Sequence, residues 1–323
     1  MNHFFKLLLV SIFVFLNACH FENKPIKKEE KIVSVPNFNP DTAYNYIQEQ
    51  VSFGSREPNS IAHKECSKFL ITTLSKFADS VITQNTVVKR FDGKELKITN
   101  IIGQFSPKKN NRLLLCAHWD SRFIADNDSL NTDMPILGAN DGGSGVGVLL
   151  EIARNIYLSN PELGVDIIFF DAEDQGEPLG SSSSPDSWCL GSQYWAKNPH
   201  TEDYFARYGI LLDMVGGKNA MFTKEGTSMY FASNIVNKVW KTAGKLGFSS
   251  YFVYEETSQI TDDHYYINII RKIPTIDIIE HDFSTKTKFN KHWHTHADDM
   301  NNIDKNTLYA VGQTVLNVIY NER

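Results

Sequence analysis

Acidic residues and a histidine follow three short apolar segments of the chain, and this placement suits metal chemistry. Residues 113–117 run into His118, residues 165–170 into Asp171-Ala172-Glu173-Asp174, and residues 209–212 into Asp213. Because ligands of an open α/β sheet collect at the carboxyl ends of its strands, we expect these side chains to meet at one edge. Imidazole and carboxylate together suit zinc, or another divalent metal that accepts nitrogen and oxygen.

Each of these acids also has an ordinary structural role as an alternative. An acid directly after a strand is frequently a helix cap or a solvated turn residue. Asp141, which precedes two glycines, would by itself be read as a turn former. Asp120 and Asp171 fit either this role or that of supports that orient metal ligands. Chance would have to place every acid at the same sheet edge, so we favour the metal site.

Three histidines at alternating positions near the end of the chain supply a further ligand. They are His292, His294 and His296. Side chains alternate faces along an extended segment, so these three would share one face there. A surface histidine cluster with incidental metal affinity is the alternative. The spacing alone does not choose among the three.

The elements that would position these residues alternate between strands and helices. Apolar runs typical of strands covered on both faces occur at residues 113–117, 165–170, 209–212 and 275–279. Helical patterns begin near Asp41 and cover residues 60–77, 145–157, 233–246 and 306–319, and strands 81–91 and 96–105 flank a hairpin signal, Asp92-Gly93. This order predicts one α/β domain over residues 37–323, with a central, mostly parallel mixed sheet flanked by helices.

The composition is that of an ordinary globular protein. The chain has 323 residues and a formal net charge of −6, which gives no basic surface for a nucleic acid partner. Beyond residue 19 the cysteines are Cys66, Cys116 and Cys189, an odd number that cannot form a complete disulfide framework. Cys116 lies inside an apolar strand and is predicted to be a buried thiol.

The first residues have the pattern of a bacterial secretion signal. Lys6 precedes an apolar run, residues 7–16, which is too short for an ordinary membrane span. The following Ala18-Cys19 resembles the lipobox of lipoproteins; a plain signal peptide with a chance cysteine is the alternative. We predict a signal peptide over 1–18, lipidation of Cys19 and a flexible tether over 19–36. The protein would then lie in the cell envelope, periplasmic or at the outer membrane, held by its lipid alone.

The ordered set of motifs resembles the zinc aminopeptidase-like family, and within it the glutaminyl-peptide cyclotransferases of the animal type and their bacterial relatives. The resemblance covers about residues 40–320. It is carried by His118-x-Asp120, Gly138-Ala139-Asn140-Asp141, Asp171-Ala172-Glu173-Asp174, Asp213 and Trp293-His294-Thr295. It implies the fold of that family, a phosphorylase/hydrolase-like α/β domain.

The resemblance also implies roles for single residues. Asp141, Asp174 and His294 would bind zinc, which selects His294 from the three histidines. His118 and Asp213 match the ligands of a second metal and serve either that purpose or as supports, so one or two zinc ions are expected. Glu173 would be the acid/base. Asp262, in a segment that resembles the cyclase Asp-Asp-His motif, would stabilise the reacting amide.

The implied substrates are peptides or proteins that begin with glutamine, which would be converted to pyroglutamate with release of ammonia. Trp293, Trp188, Trp119 and Phe289 would form a small aromatic pocket that favours the glutaminyl side chain. The loop at residues 184–192 resembles the cyclase loop, but the animal enzymes have a tryptophan slightly earlier, where this chain has serines. A dinuclear zinc aminopeptidase of the same fold and a non-catalytic binding lipoprotein are the alternatives.

Overall fold

A six-stranded mixed sheet forms the centre of the computed structural model, which describes residues 34–178 and 185–322. Its strands, in chain order, are β1 Ser80–Lys89, β2 Glu95–Phe105, β3 Arg112–His118, β4 Gly164–Phe170, β5 Gly209–Asp213 and, after two strands outside this sheet, β8 Thr275–Ile279. They lie in the order β1-β2-β4-β3-β5-β8. The two strands outside it, β6 Phe222–Lys224 and β7 Phe252–Glu256, form a small parallel pair.

Strands β4, β3, β5 and β8 are parallel to one another, and the hairpin at the opposite edge of the sheet is antiparallel. Strand β4 pairs in parallel with β3, β3 with β5, and β5 with β8. Strands β1 and β2 form the hairpin, and β2 pairs antiparallel with β4. Every residue of β3, β4, β5 and β8 is buried, as apolar runs without alternation predict. The predicted mixed α/β sheet is therefore confirmed.

Seven α-helices flank the sheet within the described residues. They are α1 Pro40–Ser52, α2 Ile61–Leu74, α3 Gly143–Leu158, α4 Leu190–Lys197, α5 Gly226–Lys245, α6 Asp263–Tyr266 and α7 Lys305–Asn321. Helices α1, α3 and α7 contact one another and α5 packs on α7, whereas α4 and α6 meet beside a π-helical segment, Ile267–Arg271. The helices predicted over 145–157 and 306–319 are present with slightly different ends, whereas α5 begins at Gly226 rather than at the predicted 233 and is kinked at Ala232. Helices α4 and α6, strands β6 and β7 and the π-helix were not predicted.

Several sequence-based expectations concern residues outside the described ranges. The signal peptide, Cys19 and residues 19–33 of the tether lie there and stay predictions. The three cysteines within the described ranges are free and buried, which confirms the expectation for Cys116. No helix of the described residues is long and apolar enough to span a membrane.

Candidate active site

The carboxyl ends of the inner strands bring a first carboxylate–histidine triad together. His118 ends β3 and Asp213 ends β5, while Asp141 stands in the loop before α3. The Nε2 atom of His118 lies 3.1 Å from Asp141 Oδ1 and 3.2 Å from Asp213 Oδ1. These three residues form one group of closely spaced ligand atoms.

A second triad shares Asp141 with the first. The Nε2 atom of His294 lies 3.1 Å from Asp174 Oδ1 and 3.8 Å from Asp141 Oδ2. All three side chains are buried. Asp141 thus directs one oxygen to each triad, which is the arrangement of a carboxylate able to bridge two metal sites.

The donor set of the second triad fits a divalent metal ion. Asp141 Oδ2 and Asp174 Oδ2 are buried and have no hydrogen-bond partner among the described residues. Burial of unpartnered carboxylate oxygens is costly, and without a cation burial and the charge of Asp141 raise the pKa of Asp174 to about 6. One imidazole nitrogen and two carboxylates are ligands that zinc accepts. Both triads also have carboxylate Oδ1 atoms 3.1 to 3.2 Å from an imidazole Nε2, so the unpartnered Oδ2 atoms are what distinguish the second triad.

Two further acids hold the loops that carry these ligands. Asp120 accepts hydrogen bonds from the backbone N–H groups of Glu173, at 3.0 Å, and Asp174, at 3.2 Å. Asp298 accepts from the backbone N–H of Asp141 at 3.0 Å. Asp120 therefore has the contacts of a support rather than a ligand. Asp298 was not singled out from the sequence, where only its place after the histidines could have drawn attention.

Asp171 supports the same turn from the side of α2. Both of its oxygens contact His63 Nε2, at 2.9 and 3.0 Å. It also accepts from the N–H groups of Thr99 and Ala172. The turn that carries Glu173 is therefore fixed to β2 and to α2.

Arg122 and Asp126 connect the second triad to the pocket wall, and neither was predicted. Asp126 Oδ1 accepts from His294 Nδ1 at 2.9 Å, which leaves Nε2 of that ring for a metal. Arg122 donates to Asp126 Oδ2 at 2.8 Å and to the carbonyl oxygen of Asp174 at 3.1 Å. Its guanidinium carbon lies 4.4 Å from the ring centre of Trp188. One ion pair thus orients two ligands and an aromatic wall.

Replacement of Asp126 by alanine should weaken zinc binding by about 10- to 100-fold, because the outer partner of a metal-binding histidine fixes its tautomer and orientation. Competition with a chelating zinc indicator measures this affinity. Asp128→Ala is the matched control, since Asp128 lies in the same loop and binds the exposed His296 at 3.0 Å instead. Equal zinc affinities for the two variants would contradict the role of Asp126.

A cavity of about 330 Å³ opens beside the second triad. Glu173 and Asp262 lie in its wall, together with Trp188, Trp293 and Phe289. Trp293 stacks on His294 with ring centres 3.8 Å apart, and Phe289 lies 4.8 Å from Trp293. The structure thus brings together three of the four aromatic residues that the resemblance assigned to a pocket.

The assignment of Trp119 to this pocket is wrong. Trp119 is fully buried and stacks on His63 of α2 with ring centres 4.3 Å apart. Its indole N–H donates to the carbonyl oxygen of Thr99 at 3.1 Å. Neighbouring side chains of an extended segment point in opposite directions. Because His118 faces the metal site, Trp119 faces away from it.

The expectation that the three histidines could share one face is also wrong. Residues 291–295 form turns rather than an extended segment. His294 is buried and has a φ of 57°, in the left-handed region, whereas His296 is exposed. Only His294 belongs to either triad, and only its position in the resemblance could have selected it.

Glu173 and Asp262 lie close together in the cavity wall. Together with Cys189 they form a group whose potential ligand atoms are within 4.8 Å of one another. Burial raises the pKa of Glu173 well above its ordinary value, and Asp262 and Asp174 add to this rise while His118 opposes it. A carboxyl group with a raised pKa can hold a proton between two steps of a reaction.

Backbone conformations that are rare for residues other than glycine surround the site. Ala172, Cys189, Met214 and His294 all have φ between 47° and 58°. Such conformations cost free energy and persist where the surrounding structure enforces them, frequently at active sites. Here they set the direction of Glu173, which follows Ala172, and of His294 itself.

An α/β sheet that carries two adjoining carboxylate–histidine triads at its strand ends, beside an acid-lined cavity, defines a metalloenzyme of the zinc-exopeptidase type. The family model of Peptidase family M28 matches residues 100–319. The chain belongs to this family.

Known relatives cover most of the described domain. A structure described as a zinc-dependent exopeptidase from Parabacteroides distasonis is 53% identical, with a TM-score of 0.88, over 90% of this chain and 100% of that one. The glutaminyl cyclase of Bacteroides thetaiotaomicron, bound to N-acetylhistamine, is 52% identical, with a TM-score of 0.88 and the same coverage. The glutaminyl-peptide cyclotransferase of Bos taurus is 27% identical over 72% of this chain and 68% of its own length.

Proposed function

We propose that the protein is a zinc-dependent glutaminyl-peptide cyclotransferase, which converts the N-terminal glutamine of peptides and proteins to pyroglutamate and releases ammonia. The observation that carries this proposal is the aromatic cavity in which Glu173 and Asp262 lie together beside the His294 triad. The 52% identity to a bacterial glutaminyl cyclase supports it.

The reaction needs one proton to move between two nitrogen atoms of the same substrate. The α-amine forms a bond to the γ-carbon of the glutamine side chain, and the bond from that carbon to the amide nitrogen breaks. Glu173 takes the proton from the attacking amine and gives it to the departing nitrogen, which leaves as ammonia. Asp262 lies in the cavity wall, where its carboxylate would accept an N–H of the substrate amide. The amide is thereby held in its reactive orientation.

One zinc ion at Asp141, Asp174 and His294 is part of this proposal. Zinc bound there supplies Lewis-acid polarisation of the γ-carbonyl group. The unpartnered oxygens of Asp141 and Asp174 support binding of zinc to this triad before any binding to the triad of His118. His118 then supports Asp141 and is itself held by Asp213, and a second ion is not required.

The lining of the cavity supports cyclisation. Trp188, Trp293 and Phe289 wall a cavity of about 330 Å³ and offer apolar surface to the compact glutaminyl side chain. In cyclisation the nucleophile belongs to the substrate, so this site has to hold the side chain beside Glu173. An aminopeptidase of the same fold would instead have to place a water molecule there as its nucleophile.

The zinc-loaded full chain should release ammonia from a dipeptide that begins with glutamine and form the pyroglutamyl product. A coupled ammonia assay and mass spectrometry measure the two products. The matching dipeptide that begins with asparagine is the control, since its amide lies one carbon closer to the amine. Hydrolysis of leucine anilide without ammonia release from the glutamine dipeptide would overturn the proposal in favour of an aminopeptidase.

A further inference from the structure

Cys189 contacts Glu173 through both its side chain and its backbone. The Sγ atom lies 3.1 Å from Glu173 Oε1. The backbone N–H of Cys189 donates to the carbonyl oxygen of Glu173 at 2.9 Å, and that of Leu190 donates to Ala172 at 3.0 Å. The start of α4 is therefore fastened to the turn that carries Glu173.

The backbone at this junction brings the side chain of residue 189 onto Glu173. Cys189 has a φ of 58°, in the left-handed region. A Cβ atom on Gly191 would lie 2.1 Å from the carbonyl oxygen of Asp171, so this close approach requires glycine. With α4 pressed against the turn in this way, the short side chain of Cys189 reaches the carboxylate.

The thiol of Cys189 contacts Glu173 but does not line the cavity. Cys189 is fully buried and, unlike Glu173 and Asp262, is not among the residues that line the cavity. Burial and the neighbouring carboxylates raise the pKa of Cys189 well above its ordinary value. The sulfur therefore keeps its proton, and the S–H group donates to the carboxylate.

We propose that Cys189 is a positioning residue for proton transfer: its S–H occupies Oε1 of Glu173 and leaves Oε2 as the oxygen that exchanges the proton with substrate. This inference rests on the proposed function, in which Glu173 is the acid/base. A carboxylate fixed at one oxygen has fewer orientations to lose when the bound substrate reaches the geometry of proton transfer.

The test compares Cys189→Ala with Cys189→Ser in the zinc-loaded full chain. Alanine should lower kcat about tenfold, because a hydrogen bond to a charged group is lost, with KM and zinc content unchanged. Serine should restore most of kcat, since its hydroxyl donates in place of the thiol. Both substitutions carry the same left-handed backbone, so their difference isolates the donor. Wild-type kcat in Cys189→Ala, or no recovery in Cys189→Ser, would overturn the inference.

Cys66→Ala is the matched control, since Cys66 is also a buried free thiol but lies in α2. It should leave kcat at the wild-type value. A tenfold loss in this control as well would show that any buried cavity lowers activity, and would also overturn the inference.

A spectroscopic measurement separates failure of this inference from failure of the proposed function. The infrared difference spectrum of wild type against Cys189→Ala isolates the S–H stretching band of this thiol. Glu173→Gln, which offers a weaker neutral acceptor, should move the band to higher frequency. An unmoved band would disprove the contact whatever reaction the enzyme catalyses, whereas absent ammonia release by the wild type concerns the proposed function alone.

Discussion

Replacement of Glu173 by glutamine should lower kcat for cyclisation by about 10²- to 10⁴-fold, the contribution typical of general acid–base groups. We expect the upper part of this range, because the same carboxylate accepts the proton and returns it. A glutamine amide has nearly the same shape but cannot do either. The zinc content should stay at the wild-type value, since Glu173 belongs to neither carboxylate–histidine triad.

Turnover and metal analysis on the same preparation test this separation. The contacts of the turn should survive, because Asp120 binds the backbone N–H of residue 173 and Cys189 binds its carbonyl oxygen. The melting temperature should therefore stay close to that of the wild type. Undiminished kcat would remove Glu173 from the mechanism, and simultaneous loss of zinc would make it a ligand instead.

The strand ends were the part of the site that the sequence predicted from physical principles. His118, Glu173, Asp174 and Asp213 each follow an apolar run, and parallel strands deliver the residues after them to one sheet edge. The prediction depends only on local hydrophobicity and on the geometry of parallel sheets. These residues could therefore be predicted without knowing how the loops fold.

Ligands from loops were harder to assign, because no local pattern fixes where a loop folds. The ion-pair partner of His294, Asp126, stands 168 positions earlier in the chain. The resemblance to known enzymes, rather than spacing, selected His294 from three histidines. Arg122 stands four positions before Asp126, but this segment is a loop, where the helical i,i+4 rule does not apply. Nothing local indicates that Arg122 contacts either Asp126 or Trp188.

The wrong assignment of Trp119 to the pocket came from judging by residue type alone, without considering the direction of its side chain. Trp119 is aromatic and adjacent to a site residue, yet it points to the opposite side of the chain from His118 and packs on His63. The alternation of side chains along an extended segment already predicts that Trp119 and His118 point in opposite directions. Asp277 could also have been singled out from the sequence, since an acid inside an apolar strand such as β8 is unusual. Its side chain is fully buried and lies close to His264.

Replacement of His294 by alanine should remove zinc from the protein. His294 provides the one nitrogen ligand of its triad, and Asp126 and Trp293 hold its ring in place. The remaining acids, Asp141 and Asp174, would face each other without an imidazole between them. The loss of affinity should exceed the about 10- to 100-fold expected when only an outer support is removed. Zinc content after dialysis gives the first measurement.

His296→Ala is the matched control for this loss, since that histidine lies two positions further on but is exposed and paired with Asp128. Zinc binds the folded state, so wild type and His296→Ala should gain about 2.7 kcal/mol of stability at free zinc about 100 times the dissociation constant. At the same zinc concentration, His294→Ala should gain little, which thermal unfolding measures. A full zinc-dependent rise in the melting temperature of His294→Ala would place the ion in the other triad, with His118 and Asp213. Glu173 would then have to act beside a metal bound between β3 and β5, and the single-zinc assignment would be wrong.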